Sequence, residues 1–295
     1  MQNRRSRSVL LACAVFALSI PATVEAQNNR SFLSALGSDS SNCSVTAPCR
    51  MLTTALAATN PGGEIIIIDS AEYGPASITK PVTISATDVV ASITQTGVTA
   101  NALVIDTTGN VTIRGVEFHG GGTGTNGIQI NGVGVLRLYN VTVEGFAGSG
   151  ILFQGSGSLS VQDSRFVDDR GEALSLGMFT SNQKTYVRNC SVDNSGEGVF
   201  MWGGAVVVSH SHARSNSLGF RQEGGALVLA DDDATWNSGG IYAEGGTVQL
   251  SNSVLKFDGY AYDVHNGGTL SETSPGTNVA TGLTAGSPSA PAVLQ

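Results

Sequence analysis

Charge is scarce in this 295-residue chain: 13% of residues are Asp, Glu, Lys or Arg, and aromatics make up 6%. Cations are the scarcer sign, with 15 Lys and Arg against 23 Asp and Glu, for a formal net charge of −8. That balance argues against nucleic acid and anionic membranes as partners, because both demand a surplus of Lys and Arg. Few charges beside an ordinary 41% of hydrophobic residues equally excludes a disordered chain. Cysteine is sparse too, at four, while glycine is plentiful, at 38. Glycine in such numbers suits stacked strands joined by tight turns, since it supplies the positive φ those turns require.

The first 26 residues read as a cleaved export signal. Arg4, Arg5 and Arg7 form a basic start, Val9 to Ile20 is apolar, and Val24-Glu25-Ala26 fits a small-x-small cleavage site before Gln27. The apolar run is too short to span a bilayer comfortably, and the mature chain offers no transmembrane helix. The expected location is the periplasm or the exterior, and removal of the signal takes the net charge from −8 to −10. In an oxidising compartment Cys43 and Cys49, six apart around a Pro-containing loop, are expected to pair. So short a loop restricts the unfolded chain only modestly, which makes the pair a local clip. Residues 27–47 form a leader that holds this clip.

From Gly127 onward the chain repeats. Segments opening at Gly127, Gly150, Ala173, Gly198, Gly219, Gly240 and Ala261 follow one another in steps of 21 to 25 residues. Each holds short alternating strands and Gly-rich turns, which is the pattern of a solenoid. Residues 271–295, rich in Ser, Thr, Gly and Pro without alternation, read as a flexible tail.

A short helix is expected from Pro48 to Thr59, with Leu52, Ala55 and Leu56 on one face, and Glu64 to Asp69 as the first strand. The run Ile65-Ile66-Ile67-Ile68, then Tyr73-Gly74, then Ile78-Thr79-Lys80-Pro81-Val82-Thr83-Ile84 resembles the opening coils of right-handed parallel β-helix proteins of the pectin-lyase-like superfamily. The resemblance implies an all-β fold: a single right-handed parallel β-helix of about ten coils over residues 48–270, with a short N-terminal capping helix. The cap would cover backbone groups that an end strand leaves unpaired. The column Asn140, Asp163, Asn189, His210, Asp231, Asn252 falls where such families stack Asn in a ladder. Short polar side chains there bond their own backbone and tolerate a tight bend. The following column, Val141, Ser164, Cys190, Ser211, Asp232, Ser253, should point inward, so Cys190 reads as an inert core residue.

Alternation in the first strand of each coil sends two columns outward. One is Val104, Gln129, Leu152, Ser175, Phe200, Arg221, Tyr242, Asp263; the other is Asp106, Asn131, Gln154, Gly177, Trp202, Glu223, Glu244, His265. In the last four coils Phe200, Trp202, Arg221, Glu223, Tyr242, Glu244, Asp263 and His265 fall on one patch. Aromatic faces there suit the apolar side of a pyranose, and Arg221 suits a uronate carboxylate. Phe200, Trp202, Arg221, Tyr242, Asp263 and His265 are the candidate substrate-binding residues. Glu223 and Glu244 are the candidate catalytic pair: on adjacent rungs they lie about 5 Å apart, the spacing of a retaining glycosidase, and like charge should push one pKa upward. The bland alternative is a solvated sheet face, on which such residues are ordinary.

Other polar groupings carry less. Asp231-Asp232-Asp233 is a weak Ca²⁺ candidate because alternation turns the three side chains different ways. Asp168-Asp169-Arg170 reads as a solvated turn, and His210 with His212 has no third partner, so no metal site is expected. His119-Gly120 is similar to the His-Gly of polygalacturonases, but the Asn-Thr-Asp, Asp-Asp and Arg-Ile-Lys partners are missing. The pectate lyase Asp cluster with its Arg, and the Asp-Pro-His-Asp of alginate epimerases, have no counterpart either. No helix follows the Gly-rich loops, so they are not phosphate loops, and no cofactor is expected. Two classes of function stand open. The first is polysaccharide recognition, with lyase or hydrolase activity unassigned; the second is a non-catalytic structural or adhesive β-helix that stays open to end-on self-association.

Overall fold

In the computed structural model the described residues are 28–177, 184–256, 259–272, 277–281 and 283–285. The expected signal segment, 1–26, lies outside them, as does 286–295 of the expected tail. The described residues form a parallel β-solenoid with one short helix. Each coil contributes strands to three faces. The first face runs from Ala76–Ile78 through Leu103–Asp106 to Tyr260–His265 and Leu283–Ala285. The second runs from Val82–Ala86 and Val111–Arg114 to Thr247–Ser251 and Thr269–Glu272. The third is a ten-stranded sheet from Ala71–Glu72 to Val279–Ala280, so ten rungs enclose about nine full turns. Two long strands, Ile128–Tyr139 and Ile151–Gln162, bend from the first face into the second and join them as one sheet.

Alternation inside each strand explains the core. On Val206 to Val208, Leu227 to Leu229 and Val248 to Leu250 the inward residues are all buried, while the residues between face out. Parallel pairing in register then stacks like on like from coil to coil. That buries a continuous apolar column without long-range chain crossings.

Two corners hold the coils in place. Asn140, Asp163, Asn189, His210, Asp231 and Asn252 all take left-handed backbone, with φ from 49° to 59°. Behind them the inward column is buried and laddered from rung to rung. Val141 NH donates to Ser164 Oγ (3.2 Å), Cys190 NH to Ser211 Oγ (3.1 Å) and Ser211 NH to Asp232 Oδ1 (2.8 Å). Cys190 is 1% exposed, and burial pushes its thiol up to about 11. A second corner repeats the device where the sequence pattern suggested only solvated turns. There Phe146 NH donates to Asp169 Oδ1 (2.9 Å), Ser195 NH to Asn216 Oδ1 (2.8 Å) and Asn216 NH to Asn237 Oδ1 (2.9 Å). Asp169, expected in a solvated turn, is instead 1% exposed. Each ladder feeds a backbone NH that the bend removes from the sheet, which is why polar residues recur inside.

The ends differ from the sequence reading in three ways. The leader holds a strand, β1 (Asn28–Leu33), that pairs in parallel with β2 (Thr59–Ile67), so the solenoid starts before Glu64. The helix, α1, spans Leu52–Ala58 and does not begin at Pro48. Pro48 and Cys49 are drawn into the clip instead: Ser38 NH donates to the Pro48 carbonyl and Cys49 NH to the Phe32 carbonyl. Cys43 and Cys49 are disulfide-bonded there. Leu52, Ala55 and Leu56 bury the apolar face of α1 against the first coil. At the other end pairing continues past 270: Val279 meets Val254 and Leu283 meets Tyr260, so part of the expected tail is solenoid.

Candidate functional site

The first-face strands of the last four coils carry the patch. Pairing sets Phe200 against Arg221, Arg221 against Tyr242, Tyr242 against Asp263, and Glu244 against His265. Parallel register therefore places these outward side chains on successive rungs about 4.8 Å apart.

The planar groups form one row. Phe200 and Trp202 stack at 5.9 Å with 10° between their planes. The Arg221 guanidinium lies over the Phe200 ring at 4.8 Å and beside the Tyr242 ring at 5.8 Å. Tyr242 then meets the His265 imidazole at 5.6 Å. Trp202 closes one end, 39% exposed, its indole lying over Gly177, where a Cβ would come within 2.6 Å of the ring. Gly177 is thus the residue that lets the indole lie flat on the sheet.

The charges are already spoken for within the patch. Arg221 donates from Nη1 to Glu197 Oε1 (2.8 Å) and from Nη2 to Glu223 Oε1. Glu244 accepts from the Tyr242 hydroxyl (3.3 Å) and from Asn266 Nδ2. His265 Nε2 lies 2.7 Å from Asp263 Oδ1. Burial raises the Glu197 carboxyl above its ordinary range, although Arg221 pulls the other way. Burial alone would lower Arg221, but its bonds to Glu197 and Glu223 hold it above the usual value. Burial and then Glu244 raise the Tyr242 phenol; burial and then Asp263 raise that of Tyr260.

This geometry sits on a fold with known relatives. Residues 82–255 match the family described as right handed beta helix region. The chain belongs to that family. Two solved structures share the fold of this right-handed β-helix. The pectate lyase Pel9A superposes with a TM-score of 0.63 at 16% identity, over 90% of this chain and 81% of that one. The GH136 lacto-N-biosidase from Eubacterium ramulus superposes with a TM-score of 0.57 at 12% identity, over 85% of this chain and 62% of that one. No curated protein matches the sequence.

The eight residues singled out in the sequence come together on this β-helix, but their partners were missed. Glu197 on the strand Glu197–Met201 and Glu172 beside it in register belong to the same outer surface. Tyr260 borders it, its ring covering Gly239. Strict alternation hid them. Gly198 follows Glu197 and is buried, and its counterpart Gly219 has room for no Cβ, which would meet the Gly240 carbonyl oxygen at 2.8 Å. The repeated glycine therefore breaks the alternation and sends the residue before it outward as well. The signal was present in the glycine column, where a side chain would collide with the next coil.

The remaining candidates stay apart from this patch. His119 lies between Glu144 (2.8 Å) and Glu117 (3.3 Å) on the third face. His210 occupies a ladder turn, 3.7 Å from Asp231. Among the described residues no three His, Cys, Asp or Glu side chains converge as metal ligands, and no helix is long and apolar enough to cross a membrane.

Proposed function

We propose that the outer surface of the last four coils binds a neutral glycan, with Trp202, Phe200 and Tyr242 as its platform. The observation that carries this reading is the row of planar groups whose one guanidinium is already shared by two carboxylates. Glu172, Glu197, Glu223, Glu244 and Asp263 surround Arg221 and His265, so the surface is acidic and repels a uronate chain. Arg221 acts here as a brace that holds Phe200 and Tyr242 upright. Neutral sugars remain: their hydroxyls donate to carboxylates and their apolar faces pack on aromatic rings.

Glu223 and Glu244 serve in this reading as hydrogen-bond acceptors. Each already accepts hydrogen bonds within the patch, Glu223 from Arg221 and Glu244 from the Tyr242 hydroxyl and Asn266, which holds both carboxylates in the acceptor role. That observation favours the non-catalytic, adhesive class over hydrolysis. One structural neighbour is named as a pectate lyase and the other as a lacto-N-biosidase, so carbohydrate is the common theme of the fold's relatives. Calorimetry of the purified chain against neutral and uronate oligosaccharides tests the reading, with reducing ends and unsaturated products measured in parallel. Binding of a neutral glycan that Trp202→Ala weakens supports it. Release of new reducing ends that E223Q abolishes replaces it with a hydrolase.

A further inference from the structure

The second face has the opposite character. Its outward strands from Val111–Arg114 through Thr247–Ser251 contain no Asp or Glu at all. Four of the chain's few cations gather there instead: Arg114, Arg137, Lys184 and Arg188. Register sets them within four rungs: Arg114 pairs with Tyr139, Tyr139 with Gln162 and Gln162 with Arg188, so Arg114 and Arg188 stand three rungs apart in one column. Arg137 stands beside this column, two rungs before Tyr186 by way of Ser160.

None of the four cations forms an ion pair or a hydrogen bond through its side chain among the described residues. Arg114 instead lies over the Tyr139 ring at 4.9 Å, and Tyr186 is 49% exposed. Arg188 lines a cavity of about 360 Å³ with Gln162, Asp163, Asn189 and His210. Asp163 is the one carboxylate on that rim, and Asn189 Nδ2 donates to it at 2.6 Å. In an acidic protein, a face that carries cations and no carboxylate is a place where an anionic ligand meets attraction rather than repulsion.

We propose that this second face is a separate binding site for an acidic glycan, a chain of carboxylated or sulfated sugars. It goes beyond the neutral-glycan reading of the first face and stands on different residues. Guanidiniums grip carboxylate or sulfate in bidentate pairs, and Arg114, Arg137 and Arg188 occupy the first, second and fourth of four successive rungs, spread over about 14 Å of the solenoid axis at about 4.8 Å per rung. That span is on the order of three pyranoses laid end to end, so one acidic chain along the axis reaches all three guanidiniums. Tyr186 offers one open ring for the apolar side of a sugar, and the amides of Gln162 and Asn189 suit hydroxyls. A nucleic acid fits less well: Tyr139 is occupied by Arg114, so no succession of open rings awaits bases, and the acidic body repels a phosphate backbone.

The test is binding of polygalacturonate and dextran sulfate to the full chain at low and moderate salt, measured by affinity electrophoresis. Single-stranded DNA and phosphatidylserine vesicles are run beside them. The expected result is salt-sensitive binding of at least one acidic glycan, weakened about tenfold or more in R137Q/R188Q and unchanged in Trp202→Ala. R114Q/K184Q, at other exposed positions, provides a second reading should the first variant misfold by circular dichroism. Three results overturn the proposal: no acidic glycan binds, binding is indifferent to both double variants, or DNA or vesicles bind more tightly through the same Arg residues. Loss of neutral-glycan binding in Trp202→Ala reports on the first face alone, so the two sites fail independently.

Discussion

The first and second faces are built from the same coils yet handle charge in opposite ways. On the first face five carboxylates crowd one Arg and one His, and Arg221 is bonded to two of them between two rings. On the second face Arg114, Arg137, Lys184 and Arg188 have no ion pair among the described residues. The interior between them is shared, so the difference lies wholly in the outward half of the alternation. A solenoid separates folding from function in this way: inward residues must repeat, while outward residues on each face are free to diverge.

The comparison breaks most severely through the glycine column. Gly219→Val is expected to cost about 3 kcal/mol or more, because its side chain would press on the backbone carbonyl of Gly240 and nothing there yields. Arg188→Gln on the exposed second face should stay within about 0.5 kcal/mol. Urea midpoints of the two variants check the contrast; equal shifts would mean that the glycine column is not what fixes the first face.

Next in size is the pH dependence of the shared interior. Burial pushes Asp169 up to about 8 and Asp232 up to about 7, against 3.8 for an ordinary Asp. The folded chain therefore holds protons that the unfolded chain releases. The stability these groups contribute is full below about pH 4 and is lost as pH rises through 7 and 8, a change on the order of a few kcal/mol. Urea unfolding should show greater stability at pH 5.5 than at pH 9. Asp169→Asn should reduce that slope, since Asn216 and Asn237 perform the same ladder role uncharged, their Nδ2 groups donating to Val192 and Ala213 carbonyls. An unchanged slope in this variant would refute the assignment to Asp169.

Arg221 gives a smaller effect that belongs to the first face alone. Arg221→Ala strands the half-buried Glu197 and should cost about 2 kcal/mol at pH 8. The loss should shrink by pH 5, because Glu197 already has a raised pKa and takes up a proton more readily once its cation is gone. A loss independent of pH would show that Arg221 stabilises through its ring contacts with Phe200 and Tyr242. Smallest is Trp202→Ala: neutral-glycan affinity should fall about tenfold, with acidic-glycan affinity and the urea midpoint nearly unchanged.

Much of this was legible in order of residues. Repeating segments from Gly127 specify the stacked coils, and the column from Asn140 to Asn252 marks the bends, because few residues other than Gly, Asn and Asp accept left-handed backbone. The patch from Phe200 to His265 could be assembled by counting alternation. Counting failed at Glu197, where the buried Gly198 interrupts the period of two, and at Asp169, whose ladder role resembles that of a surface turn. The leader strand Asn28–Leu33 escaped because one strand before the repeats has no partner in its own neighbourhood; it pairs with Thr59–Ile67 across the helix.

Local chemistry determined the coil: glycine, Asn and alternating apolar residues act within a few positions, so sequence alone states them. Tertiary structure decided which charges are free. Arg221 and Arg188 look alike in the sequence, each on a strand beside polar neighbours. Only stacking of coils, which brings residues 21 to 26 apart into contact, gives Arg221 its bond to Glu197 and sets Arg188 beside Gln162, on a rim whose carboxylate, Asp163, is bonded to Asn189 instead.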